Sequence, residues 1–234
     1  MDYRTSNDDE LLTNPDRFGY VLPNYLHSHD EIPDWYKDNE FIKEGYRKWE
    51  MKTSYYTKSI VSCPPHNETF NIWTHLVGTL AFIGLMIYSN ATHLIEAPYG
   101  DKVAVDIFLT SVILCFALST LMHIYYPCSE KKCKQLLKMD YIGISCLILG
   151  SYGPFVYFAF YCEPLFQWIY YTVINILGIA VIVLTFSDFF HKSEYRAYRA
   201  LTFVLFVGSV IVPIVHRFVL DTGETYQLEF DKEV

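Results

Sequence analysis

The sequence predicts an all-α integral membrane protein with five transmembrane helices and a cytoplasmic N-terminus. Three observations carry that prediction. More than half of the 234 residues, 52%, are hydrophobic, and 18% are aromatic. They are segregated: residues 1–66 are polar and charged, whereas residues 71–218 are mostly apolar runs. Basic residues are also lopsided, fifteen Lys and Arg falling on one side of the apolar runs against three on the other. Since Lys and Arg near the spans orient a membrane protein, the richer side is expected in the cytoplasm. The formal charge of −8 plays no part in that reading.

A polar arm, residues 1–66, comes first. Within it, Ile32 to Arg47 opens on a Pro-Asp helix-start signal and places apolar residues at helical spacing, which predicts a short amphipathic helix along the cytoplasmic face or a partner-binding segment. The transmembrane domain, residues 67–220, holds five runs of bilayer-spanning length: Asn71–Tyr88, Val103–Tyr126, Tyr141–Tyr161, Phe166–Phe186 and Ala200–Val219. Turn signals separate them: Pro98-Tyr-Gly100, a basic loop with Lys131, Lys132, Lys134 and Lys138, Cys162-Glu-Pro164, and the polar stretch Ser187–Arg199. A soluble helical bundle would need a polar stripe near every fourth residue, and Leu147 to Phe160 has no charged face. The acidic tail, residues 221–234, is too short for a domain. With five spans, it is expected outside.

Several classes drop out. Met1 to Glu10 lacks a basic stretch leading into an apolar one, so no cleavable signal peptide is expected. Six scattered cysteines make no disulfide framework, and Cys128 and Cys133 read as free cytosolic thiols in preference to a metal pair. No repeat, Gly-rich phosphate loop, Gly-x-Ser-x-Gly or His-Glu-x-x-His occurs. The basic residues flank spans without interleaved stacking aromatics, so no nucleic-acid partner is expected. The sequons at Asn67 and Asn90 are expected to stay unmodified, the first being cytoplasmic and the second hugging the membrane.

The candidate chemistry centres on His123, near the end of the second span. An ionisable residue in a span is costly and therefore a functional candidate. Ser119 lies one turn earlier on the same helix face, and Asp140 opens the next span. Histidine, hydroxyl and carboxylate together suit a metal-bound water or a proton relay. An equally simple reading stands beside this one. His123 is three residues from the end of its run and can snorkel to the headgroups, Asp140 suits a helix N-terminus, and Ser119 can bond its own backbone. His75, near the start of the first span, faces the same layer and reads as a cap or a contributor. Asp106 reads as a water-accessible residue near a helix end. Pro213 and His216 mark a kink, a ligand contact or an interfacial histidine. Gly143, Gly150 and Gly153 permit close helix packing.

Several stretches, taken together, resemble the progestin and adipoQ receptor family, which includes adiponectin receptors and haemolysin III-like proteins. They are Asp38-Asn-Glu-Phe-Ile-x-x-Gly-Tyr-Arg47, Asn67-Glu-Thr-x-Asn-Ile-Trp-Thr-His-Leu76, Ser119-x-x-x-His123, Asp140-Tyr-x-Gly-Ile-Ser145, Phe158-x-Phe-Tyr-Cys162, Arg199-Ala200 and Val212-Pro213. The resemblance implies a seven-helix bundle with a zinc ion near its cytoplasmic side. It implies His123 as a zinc ligand, Asp140 as the residue orienting the zinc water and Ser119 as the motif serine. It places the two remaining ligands in a His-x-x-x-His motif of a seventh helix, which this sequence does not contain. The chain is thus expected to be truncated after the fifth helix.

Three functions follow from the resemblance. The first is a receptor-like membrane protein in lipid or metabolic signalling, with an extracellular ligand or membrane lipid as partner. The second is an intramembrane zinc hydrolase of ceramide-type lipid amides, active only if the absent histidines are supplied. The third is a non-catalytic partner assembling with homologous chains.

Overall fold

A computed structural model describes residues 26–37, 39–62, 64–191 and 193–233. The described residues are helical apart from turns and one isolated antiparallel bridge, His27 to Tyr46. The helices are α1 (Thr53–Ser59), α2 (Thr69–Ala91), α3 (Tyr99–Tyr125), α4 (Glu130–Ala159), α5 (Pro164–Thr185), α6 (Arg196–Gly208) and α7 (Ile211–Glu233). Five stretches are long and apolar enough to cross a membrane, as the sequence predicts: α2, α3 with its 3-10 extension to Cys128, α4, α5, and Arg196–Thr222 across α6 and α7. Outward-facing side chains such as Leu80, Ile87, Ile176 and Val183 are exposed apolar groups, as lipid-facing positions require.

The chain forms two compact units: residues up to Leu76 with Ser119–Leu137, and Val77–Leu118 with Lys138–Val234. In the second unit, glycines set the helix spacing. A Cβ on Gly143 would meet the Cys115 backbone at 3.2 Å, and one on Gly150 would overlap the Ser111 side chain. The small-residue reading of these two positions therefore holds, with α4 against α3. The core here comprises Ile148, Tyr152, Val156, Phe160, Ile174 and Phe206. Arg199 is buried, donating to the Phe190 carbonyl at 2.7 Å with its guanidinium 5.9 Å from the Tyr141 ring centroid. Asp106 accepts a 2.7 Å bond from Asn90, and His216 bonds Tyr170 at 2.8 Å while packing on Phe166.

The helix boundaries differ from the expected ones in places. The basic loop before Asp140 is helical: α4 begins at Glu130, and Glu130 pairs with Lys134 one turn on at 2.7 Å. Asp140 consequently lies well inside α4 and is not its first residue, so the helix-dipole argument does not apply to it. The amphipathic helix expected over Ile32–Arg47 shrinks to one 3-10 turn, Asp34–Tyr36. Asn39 turns its side chain onto the Phe41 N–H at 3.0 Å, and Gly45 takes φ +92°, so local side-chain bonds and a left-handed residue replace the helix. The fifth span is present, and Pro213 marks in it the kink that the sequence offered: the helix breaks after Gly208, where Pro213 lacks an N–H and its ring opposes the carbonyl four residues back, at Ser209. Residues 221–233 continue α7 as helix.

Candidate functional site

The first unit gathers the arm around the ends of two helices. Its aromatic cluster joins Ile32, Tyr36 and Tyr46 of the arm to Met122, Tyr126 and Cys133. A second cluster joins Tyr56 of α1 to Ile72, Ile124 and Cys128. Apolar burial of this kind is worth roughly 1.5–3 kcal/mol per large side chain, so the arm is tightly held.

Arg47 is the polar centre of this unit and is fully buried. Its guanidinium donates to the His123 carbonyl at 2.6 Å, the Ile124 carbonyl at 3.1 Å and the Ser59 hydroxyl at 2.8 Å. His123 and Ile124 lie in the last turn of α3, whose final four carbonyls have no partner within the helix. A cation there satisfies those carbonyls and opposes the negative end of the helix dipole. Each such charge-assisted bond contributes about 1.5–3 kcal/mol. The Tyr56 hydroxyl accepts from the Met51 N–H at 3.2 Å and shares its own proton between the Lys48 and Pro127 carbonyls, each at 3.0 Å. The Glu50 N–H donates to the Pro127 carbonyl at 3.0 Å, which helps hold Glu50 at its left-handed φ of 58°.

Glu68, immediately before α2, is the residue that sequence reasoning missed. Its side chain is 10% exposed, and its carboxylate lies 2.7 Å from His123 Nδ1. Asn71 donates to the same Oε2 at 2.8 Å, while Tyr126 and Asn67 donate to Oε1 at 3.1 and 3.2 Å. Burial pushes the Glu68 carboxyl up, but the bonds and charge of His123, with Asn71 and Tyr126, outweigh it and hold the group below its usual range. Nearby, buried His66 accepts the Glu68 N–H on Nδ1 at 3.1 Å and donates Nε2–H to the Ser59 carbonyl at 3.1 Å. Burial first, then the Arg47 charge, push His66 down to about 4.

Among the sequence candidates, Ser119 and His123 share the first unit and one face of α3, with Ser119 buried. His75 joins them, its ring centroid 5.2 Å from that of His123. Asp140 belongs to the second unit. The signal that Glu68 offered was its place, a lone carboxylate just ahead of the first apolar run inside the stretch beginning Asn67-Glu-Thr69.

The donor set decides how a zinc ion would fit. A ligating imidazole normally gives its other ring nitrogen to a carboxylate or carbonyl, which is what His123 does with Glu68. A catalytic zinc needs three protein ligands, and no cluster of three or more His, Cys, Asp or Glu side chains placed to hold a metal occurs among the described residues. His123 and its orienting carboxylate thus fit one coordination position and not a whole site.

Comparison with known proteins matches these features to a family. The haemolysin-III related family profile covers residues 64–230. The chain is 34% identical over 230 residues to progestin and adipoQ receptor-like protein 1 of Caenorhabditis elegans, covering 94% of this chain and 52% of that protein. It is 35% identical over 190 residues to the adiponectin receptor protein of Drosophila melanogaster, covering 81% and 42% respectively. Heptahelical transmembrane protein 1 of Arabidopsis thaliana is 32% identical over 206 residues, covering 85% and 61%. The chain spans about half the length of the curated relatives it matches. Five membrane-length helices and this match together make the chain an integral, multi-pass membrane protein belonging to the haemolysin-III related family, on its adiponectin receptor-like side.

Proposed function

We propose that this chain acts as a receptor-like membrane protein in lipid or metabolic signalling, with its arm on the cytoplasmic side. One observation carries the reading. Arg47 of the arm and Glu68, just ahead of α2, grip the end of α3 at a single residue from two directions, Arg47 holding the His123 carbonyl and Glu68 the His123 ring. A displacement of that helix end therefore has to be felt by the arm, which is what a transmembrane relay needs. Relatives named as an adiponectin receptor and a progestin and adipoQ receptor-like protein support the assignment.

The Glu68–His123 pair favours a second reading, a zinc-dependent hydrolase of ceramide-type lipid amides. Zinc would supply a polarised carbonyl and an activated water, with His123 as one ligand and Ser119 one turn earlier on the same face of α3. Among the described residues His123 is one ligand of the three that a catalytic zinc requires.

Lipid analysis of cells expressing the chain tests both readings. Signalling expects shifted ceramide and related pools with the wild type, and loss of that shift in Arg47→Met at equal membrane abundance. Unchanged pools in wild-type cells would sink it. Hydrolysis expects the purified chain in micelles to release fatty acid from ceramide with zinc and not after His123→Ala; no release ends that reading alone.

A further inference from the structure

Asn175 lies midway along the membrane-length helix α5, Pro164–Thr185, and its side chain is exposed. At 1.5 Å per residue it stands roughly 15 Å from either end of a helix that crosses a hydrocarbon layer about 30 Å thick. A carboxamide is too short to reach the headgroups from that depth. Its Nδ2 donates one hydrogen to the Tyr171 carbonyl at 2.7 Å. One N–H and the Oδ1 acceptor still point outward, where lipid tails offer neither donor nor acceptor and an unmet polar group is costly. Other strongly polar side chains of the spans are met from within the chain. Asn90 bonds Asp106, Gln167 bonds the Tyr157 and Phe160 carbonyls, His216 bonds Tyr170, and Arg217 bonds Glu163.

The surroundings of Asn175 on α5 have the form of a helix-pairing seam. Trp168, Thr172, Asn175 and Ile179 follow one another at intervals of four, three and four residues, and all are exposed, Trp168 by 72% and Ile179 by 60%. That spacing lines up one narrow face and suits a left-handed crossing of two membrane helices. Copies of one chain insert in one orientation, so across a two-fold axis along the membrane normal residues of equal depth meet. A carboxamide is complementary to itself, because the N–H of one can meet the oxygen of the other. We propose that a second copy of this chain packs on the exposed face of α5, with the two Asn175 side chains bonded to each other at the centre of the seam. A single polar residue in an apolar seam also fixes which faces pair, since any other register leaves both amides in lipid. This inference is independent of the signalling and hydrolase readings.

Energy transfer between donor- and acceptor-labelled full chains in phosphatidylcholine vesicles measures the association as added lipid dilutes the protein. The wild type is expected to follow a monomer–dimer equilibrium. Asn175→Leu places a lipid-compatible side chain at an exposed position, and is expected to associate about 3- to 30-fold more weakly. Cysteine cross-linking in the same vesicles locates the face. Under oxidation Ile179→Cys, on the seam, is expected to give a linked pair of chains beyond the wild-type background. Leu177→Cys, on the opposite side of α5, is expected to give none. A wild type that stays monomeric at every dilution, undiminished association in Asn175→Leu, or cross-linking at Leu177 in place of Ile179 would overturn the proposal. Cross-linking of Ile179→Cys to a co-expressed full-length relative, with none between its own copies, would assign the face to a homologous chain and overturn it as well. The cross-linking variants keep Asn175, so they decide even where Asn175→Leu fails to insert.

Discussion

His66 shows how much one residue beside the site depends on being neutral. Both ring nitrogens are used, one accepting the Glu68 N–H and the other donating to Ser59, within reach of the Arg47 charge. Its folded pKa, about 4, lies below the ordinary histidine value of 6.5. Between those values the unfolded chain binds the extra proton, so stability is lost as pH falls from about 6.5 towards 4. Glu68, also depressed from 4.5, extends the loss further into acid. Thermal melts followed by tryptophan fluorescence are expected to drop steadily between pH 7 and pH 5, and His66→Asn is expected to flatten that stretch of the profile. At this scale the sequence revealed His123 but not its partners. Intramembrane position singled out the histidine. Glu68 and Arg47 sit in polar stretches where a charge is unremarkable, and only tertiary packing buries them.

Helix elements were legible where composition alone decides them and obscure where a charge pattern was ambiguous. All five apolar runs became spans, and Pro213 marked the break in the fifth. The start of α4 was hidden because four lysines read as a loop, although the Glu130–Lys134 spacing is itself a helix signal. The arm defied its helical spacing because Pro33, Asn39 and Gly45 each favour a local turn. Packing between elements gives a clean contrast. Gly150 has Ser111 and the Ile107 carbonyl against it, whereas Gly84 has nothing within 4 Å. Gly150→Val is expected to cost about 1–3 kcal/mol through overpacking. Gly84→Ala is expected to be neutral or to stabilise α2 by about 0.5–1 kcal/mol through helix propensity. Denaturation of the micelle-embedded variants measures both, and equal effects at the two glycines would contradict the packing account.

For the whole molecule, orientation is the property on which the functional proposal leans. Fifteen basic residues against three predict the arm in the cytoplasm. An epitope at Met1 is then expected to resist external protease in intact cells and to be cut once they are permeabilised; cleavage in intact cells would reverse the assignment. The capping of α3 by Arg47 has a consequence for how the molecule is made. Arg47 and its carbonyl acceptors stand 76 and 77 residues apart. The arginine leaves the ribosome long before the turn it must close, and the entire first hydrophobic helix is translated in between. The arm therefore cannot reach its final structure as it emerges. It has to wait, its guanidinium still hydrated, until the second helix has been delivered and its end has come within reach.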